Sequence, residues 1–180
     1  FTFDRSDSYT FAGAISGGGV VVQAGSGTTV LTNTNTYSGG TTISGGTLSV
    51  SSDANLGTGG TIKMLDGSTL AITATGSFAH AVTLAGDPTF NITSGTTTTW
   101  TGLIADGTSA GDLDVTGGGT LVLSNASNSY SGGTTVSGGS TLSIAADGDI
   151  GATTGGLTLG DASTTGTLTL GASFHLASTR

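Results

Sequence analysis

Apolar residues along this chain come in short runs interrupted by single polar ones, as in Leu48-Ser49-Val50 and Leu168-Thr169-Leu170. Alternation at period two puts both apolar side chains of a run on one face of an extended segment, the pattern of a half-buried strand. The runs recur in register. One series is Val20–Val22, Ile43, Ile62–Met64 and Val82–Leu84, with a step of about 20 residues. A second is Val30–Leu31, Leu48–Val50, Leu70–Ile72 and Phe90–Ile92, with much the same step. The second half of the chain carries Leu113–Val115, Val136 and Leu157–Leu159 beside Leu121–Leu123, Leu142–Ile144 and Leu168–Leu170. Gly-Gly, Asp-Gly and Ser-Gly pairs fall between the runs and mark turns.

Hairpins closed by tight turns would make a sandwich from such runs. A solenoid would instead stack each coil on the next, so that every strand lies beside its own equivalent. The persistence of both series favours stacking, with the sandwich as the lesser option. The pattern predicts an all-β parallel β-helix of roughly eight to nine coils of roughly 20 residues each. At ~4.8 Å per coil it is a rod on the order of 40 Å long.

A longer repeat overlies the short one. From Tyr37 the chain reads Tyr-Ser-Gly-Gly-Thr-Thr-Ile-Ser-Gly-Gly-Thr-Leu-Ser-Val, and from Tyr130 it reads Tyr-Ser-Gly-Gly-Thr-Thr-Val-Ser-Gly-Gly-Ser-Thr-Leu-Ser-Ile, an offset of 93 residues that becomes 94 after Ser140. Downstream, Asp53, Leu56 and Gly57 correspond to Asp147, Ile150 and Gly151. Upstream, Phe11-Ala-Gly-Ala-Ile15 parallels Trp100-Thr-Gly-Leu-Ile104, and Phe78-Ala-His80 has a rough counterpart in Phe174-His175. The chain therefore divides into two tandem units, approximately 1–87 and 88–180, within a single β-helix. Tyr37, Gly39, Gly40, Gly45, Gly46 and Leu48 are the structural positions of the first motif; Tyr130, Gly132, Gly133, Gly138, Gly139 and Leu142 are those of the second.

Composition removes several alternatives. The 180 residues include 34 Gly, 37 Thr and 23 Ser, with no Glu and no Cys. Helices favour Glu, Lys, Gln and Met, whereas Thr suits strands and Gly and Ser suit turns. Disorder is disfavoured because charge is sparse, only one Pro is present, and the apolar residues alternate instead of scattering. A net charge of −8, with Lys63, Arg5 and Arg180 as the only Lys and Arg, argues against nucleic acid as a partner. The same balance disfavours anionic membrane surfaces, and no apolar run is long enough for direct membrane insertion as a helix. Without Cys there are neither disulfides nor thiolate metal sites.

Candidate chemistry is thin. His80 and His175 are the only imidazoles, and a catalytic reading would pair one with Asp87 or Asp161 and a Ser. The alternative is a repeated coil residue beside a Phe, which the sequence favours. Asp112 and Asp114 would share a strand face as a carboxylate pair, but read better as solvated turn residues. Asp147-Gly-Asp149-Ile-Gly151 resembles the opening of a calcium loop yet lacks its closing Glu, so a corner whose Asp bonds its own backbone is expected. Lyases acting on acidic sugars need Lys or Arg against the substrate carboxylate, and this chain is too poor in both. Thr-x-Thr pairs such as Thr97/Thr99 and Thr167/Thr169 raise ice binding, but they do not recur at the coil step, so no continuous array is expected. Tyr37 and Tyr130, like Phe11 and Trp100, read as matched packing residues. No cofactor and no metal is expected, and the chain reads as non-enzymatic. The segment from Ala105 to Asp112 is longer than its first-unit counterpart, which makes it a candidate binding loop with Asp106 and Asp112 as its polar residues.

The repeated motif resembles the passenger-associated transport repeat of bacterial autotransporters. That pattern runs Gly-Thr-Leu-x-Leu-Ser, a short Asn-rich stretch, Tyr-Ser-Gly-Gly-Thr-Thr, a β-branched residue, then Ser/Asn-Gly-Gly-Thr-Leu. The second copy follows it from Gly119-Thr-Leu-Val-Leu-Ser124 through Asn128 and Tyr130 to Leu142. The first departs at Gly27-Thr-Thr-Val-Leu-Thr32 and rejoins it from Asn35. The resemblance implies a right-handed β-helical passenger, secreted or displayed on the bacterial cell surface by type V secretion. It also implies a C-terminal translocator barrel as partner, with flanking coils of the same chain continuing the stack. The expected role is a stalk or adhesin scaffold that assists export across the outer membrane. The rival expectation is a module binding a host-cell glycan or matrix ligand through loops leaving the solenoid.

Overall fold

The computed structural model describes residues 1–180 as an all-β solenoid of about eight turns, with only two single-turn 3-10 helices, Asp53–Leu56 and Asp147–Ile150. Every strand pairing is parallel and joins a segment to its equivalent in the next turn. The turns have three faces. Face one carries Thr2–Phe3, Val21–Gln23, Thr41–Ile43, Ile62–Met64, Val82–Gly86 and the start of the long strand Ile104–Thr116. Face two carries Ser8–Phe11, Thr28–Leu31, Thr47–Val50, Thr69–Ile72, Thr89–Ile92, the end of Ile104–Thr116, Gly133–Val136 and Gly156–Leu159. Face three carries Ser16–Gly17, Thr36–Tyr37, Gly76–Phe78, Thr97–Trp100, Thr120–Leu123, Thr141–Ile144 and Thr167–Leu170.

The hydrophobic pattern predicts two strand series, and the structure adds the third face to them. In the first turns that face is too short or too polar to alternate visibly: Ser16–Gly17, Thr36–Tyr37, then the helix Asp53–Leu56. Leu113–Val115, Val136 and Leu157–Leu159 continue the series that begins at Val30, on face two, while Leu121–Leu123, Leu142–Ile144 and Leu168–Leu170 belong to face three and continue neither series. Val20 itself is 41% exposed, and its strand starts at Val21.

The long repeat and the solenoid turn are not commensurate. Tyr37 lies on face three, and the Thr41–Ile43 strand after it pairs on face one with Val21–Gln23. Ser129, next to Tyr130, donates to the Ile104 carbonyl on face one, and the following Gly133–Val136 strand pairs on face two with Asp112–Val115. The 93-residue offset thus spans four and a third turns, so the second copy is rotated by one face. The other matched segments agree. Phe11 ends a face-two strand while Trp100 ends a face-three strand, and the helix Asp53–Leu56 follows face two while Asp147–Ile150 follows face three.

Inward side chains stack in columns, one of which runs Leu48, Leu70, Phe90, Val115 and Val136. They form one core of 28 buried residues, in which the Trp100 indole stacks on Phe78 at 5.3 Å and meets Phe90 at 5.0 Å. Like-on-like stacking keeps each turn in contact only with its neighbours, so stability accumulates turn by turn. Outward on face three, Thr97, Thr120, Thr141 and Thr167 form one column, and Thr99, Val122, Ser143 and Thr169 form the next. One threonine column thus runs through four turns, but the second is broken by Val122 and Ser143, so Thr-x-Thr pairs do not recur turn after turn. Unequal turn lengths hide the column in the sequence, and backbone pairing restores it.

Candidate functional site

The repeated motif builds the same corner twice. Asn35, 1% exposed, accepts from the Ile15 amide at 2.8 Å and donates through Nδ2 to the Asn55 carbonyl at 2.6 Å. Asn128 does the same between the Ile104 amide at 2.8 Å and the Asp149 carbonyl at 2.7 Å. Each asparagine thus joins three successive turns from inside the corner. Two residues on, the Tyr37 hydroxyl bonds Thr41 Oγ1 at 2.7 Å, and the Tyr130 hydroxyl bonds Thr134 Oγ1 at 2.8 Å. Burial raises both phenols above the ordinary tyrosine range, against the opposing pull of the threonine bond. The tyrosine carbonyls accept from Thr58 and Ala152 at 2.9 Å.

Glycine is required where the next turn crosses this corner. Gly57 at φ +87° and Gly151 at φ +75° sit in the left-handed region, and a Cβ on either would run into the carbonyl of Tyr37 or Tyr130. Gly39 and Gly40 are backed by turns on both sides, with Gly40's added Cβ 2.6 Å from the Thr61 carbonyl. Their counterparts Gly132 and Gly133 face Asp112 and Gly156. Gly45 and Gly46 fold over the Ala24–Gly27 backbone, whereas Gly138 and Gly139 turn more openly. Leu48 and Leu142 are fully buried in the core. Asn55 caps its own corner by accepting from the Ser51 and Ser52 amides at 3.0 and 2.9 Å. Asp149 does so from Ala145 and Ala146 at 2.8 and 2.9 Å, so the calcium-like segment is a self-bonded corner. The asparagine stack was legible only as an Asn recurring at the motif offset, with nothing to say what it bonded.

The segment predicted as a binding loop is a bulge inside the long strand Ile104–Thr116. Leu84 pairs with Asp106 and Gly86 with Gly111, so four exposed residues, 107–110, stand opposite the single Ala85. Asp106 clips its base: the carboxylate accepts from the Gly111 and Ser131 amides at 2.9 and 3.0 Å and from Ser131 Oγ at 2.7 Å. Burial acts upward on this carboxyl, but these bonds outweigh it and hold it below the usual carboxylate range. Asp112 is raised instead, by burial, by its bond with Asp87 and by the charges of Asp87 and Asp106. Asp114 is raised by burial and by Asp87 and Asp112.

The two histidines do not share a place. His80 Nδ1 pairs with Asp53 Oδ1 at 2.7 Å, and its carbonyl holds the Trp100 indole at 3.1 Å. His175 is exposed near the other end. Asp53 accepts from the Ala79 amide and Asp147 from the Ala177 amide, both at 3.3 Å, so the structure aligns Ala79 with Ala177 in place of the Phe-His match. Asp161, the other suggested partner, is held below the usual range by Thr164 and Ser163 of its own turn. Beside His80 lies an open cavity of about 300 Å³ lined by Asp53, Thr58, Gly59, Gly60 and His80.

A parallel solenoid whose corners are tied by a recurring Asn-x-Tyr-Ser-Gly-Gly motif defines a repeat protein of the parallel β-helix class. The family described as passenger-associated transport repeat matches residues 21–50 and 113–144. Those matches begin on face one and face two respectively, the same one-face rotation. The chain is also 37% identical over 149 residues, 76% of its length, to the adhesin BmaC autotransporter of Brucella suis biovar 1 (strain 1330). It spans 4% of that protein's length. No solved structure matches it. The chain belongs to the autotransporter passenger domains built from passenger-associated transport repeats.

Proposed function

We propose that this segment is a non-enzymatic stalk of an adhesin-type passenger, carried on the bacterial cell surface or secreted, whose stacked corners assist its export. The observation that carries this reading is the asparagine stack. Asn35 and Asn128 each bond the turn before and the turn after, so a completed turn presents the next with a prepared hydrogen-bonding site. Folding that extends turn by turn from an exported end would disfavour backward movement of the chain. The partner in this reading is a translocator barrel of the same polypeptide, with further coils continuing the stack. The test is surface display of the passenger carrying Asn35→Ala and Asn128→Ala together, read as protease-accessible protein on intact cells. Display undiminished while the purified segment is destabilised would remove the export role.

A second reading, a module for a host glycan or matrix ligand, is favoured by the projecting bulge at 107–110. The bulge is uncharged and its flanking Asp106 is committed to Gly111 and Ser131, so contact would rest on Thr108 and Ser109. Deleting 107–110 and repeating a cell or glycan binding screen tests it, and unchanged binding removes it.

A further inference from the structure

The cavity beside His80 has an internal counterpart whose occupant is visible. In the second copy, Arg180 lies against the corner helix Asp147–Ile150, with its side chain only 3% exposed. Its Nε donates to Asp147 Oδ1 at 2.6 Å. Its Nη1 donates to the carbonyls of Ile150, Ala152 and Gly155 at 3.0, 3.2 and 3.3 Å, and its Nη2 to those of Asp147 and Gly151 at 3.0 and 2.9 Å. One guanidinium thus gathers the carbonyls that the end of a short helix leaves without partners.

The first copy has the same walls. Asp53, Leu56, Gly57 and Thr58 stand where Asp147, Ile150, Gly151 and Ala152 stand in the second, and Gly60, set against Gly40, stands where Gly155 lies against Gly133. The Ala79 and Ala177 amides bond the two aspartates at the same 3.3 Å, so the corners match in space as well as in sequence. Here the carbonyls of Gly57, Thr58 and Gly60 accept no hydrogen bond from the chain, and Asp53 uses only Oδ1, toward Ala79 and His80. The cavity of about 300 Å³ opens at this point.

We propose that this cavity is a receptor for the guanidinium of an arginine presented by a partner polypeptide. Asp53 Oδ2 would take one edge of the guanidinium and the carbonyls of Gly57, Thr58 and Gly60 the other, the division of labour that Asp147 and its carbonyls perform for Arg180. Charge points the same way. The chain carries −8, and its two arginines are both engaged internally, Arg5 with Asp7 and Arg180 with Asp147, so an acidic surface meets a basic partner. Lysine fits the site less well, because three donors on a compact ammonium do not reach carbonyls spread around a collar. This inference is independent of the export reading, which rests on other residues.

The test is a titration of the 180-residue chain with Nα-acetyl-arginine methylamide, followed by amide NMR, with the lysine analogue in parallel. The expected result is saturable shifts at Thr58, Gly59, Gly60, Ala79 and His80, with at least tenfold weaker binding of the lysine compound. Asp53→Asn should abolish the shifts. Because that change also disturbs the bonds to Ala79 and His80, Gly59→Val provides a second block. An added Cβ at Gly59 meets nothing nearer than 3.6 Å, so the side chain fills the cavity without straining the fold. No saturable shift, equal binding of lysine, or full binding in Gly59→Val would overturn the receptor. A short peptide with one central arginine should bind more tightly than the amino-acid amide; equal affinity would overturn a polypeptide as the source.

Discussion

Replacing Asn128 by alanine tests the corner most directly. The side chain is 7% exposed and makes one bond in each direction along the rod, at 2.8 Å from the Ile104 amide and 2.7 Å to the Asp149 carbonyl. Alanine leaves both backbone groups in the corner without their partner. At about 1–3 kcal/mol for each stranded group, the loss is about 2–6 kcal/mol. For a chain of this size, ~3 kcal/mol lowers the melting temperature by roughly 6–12 °C. Asn128→Asp separates the two bonds: its carboxylate still accepts from Ile104 but sets an oxygen against the Asp149 carbonyl, so it should recover only part of the loss. Asn35→Ala removes an equivalent pair, and the two sites lie about 21 Å apart along the axis. Their effects should therefore add. Urea and thermal unfolding followed by circular dichroism, with amide exchange at Ile104 and Ile15, measure all three variants. A melting point unchanged in Asn128→Ala, or an aspartate variant as stable as the parent, would show that the motif asparagine does not tie the turns together.

Gly151→Ala should lose at least about 2 kcal/mol in urea unfolding, since it combines a left-handed φ with contact on the Tyr130 carbonyl. Equal stability would mean the corner relaxes freely. Thr98 Oγ1 is buried with no partner, between Gly76 and Leu121 in an inward column, so Thr98→Val should raise stability by about 1 kcal/mol in the same assay. Asp112 and Asp114 have folded-state values raised above the ordinary carboxylate value near 3.9, so the folded state binds their protons more readily and stability should rise as pH falls from 7 toward 4. Asp106 is shifted downward and acts oppositely below about pH 4, so melting temperature against pH should pass through a maximum there that Asp112→Asn flattens on its neutral side. Spin labels at Thr36 and Thr120, both on face three, should lie about 19 Å apart, whereas labels at Thr36 and Ser129 should lie about 29 Å apart because the second pair also crosses one side of the rod. Matching distances for the two pairs would refute the rotation of the repeat.

Alternation and recurrence are enough to predict a parallel stack, because strands that stack like on like repeat their own pattern. What they omit is any strand too short to alternate. Thr36–Tyr37 and the helix Asp53–Leu56 complete their turns through hydrogen bonds of Asn35 and Asn55, and neither bond leaves a hydrophobic trace. The motif residues could be named from recurrence, but their partners lie 20 or more residues away across turns of unequal length. The same irregularity conceals the threonine column of face three. Asp106 marks another boundary: an exposed-looking acid in a long segment suggests a ligand, and only the fold reveals that Ser131 and Gly111 already occupy its carboxylate. Arg180 has no precedent in the first unit, so nothing in the sequence marks its role at Asp147.

The rotation follows from how little the corner requires. Its hydrogen bonds reach one turn back and one turn forward, and none depends on which of the three faces precedes it. A motif of that kind can be copied at any offset that is a whole number of faces, and 93 residues is such a number without being a whole number of turns. Selection for a complete number of turns would have aligned Tyr37 and Tyr130 along one seam, leaving the other two corners dependent on unassisted turns. An offset of four and a third turns moves the reinforced corner around the rod. The stiffening in a longer array of such units is then shared among its sides, and no single corner remains the weak edge along which the coils part.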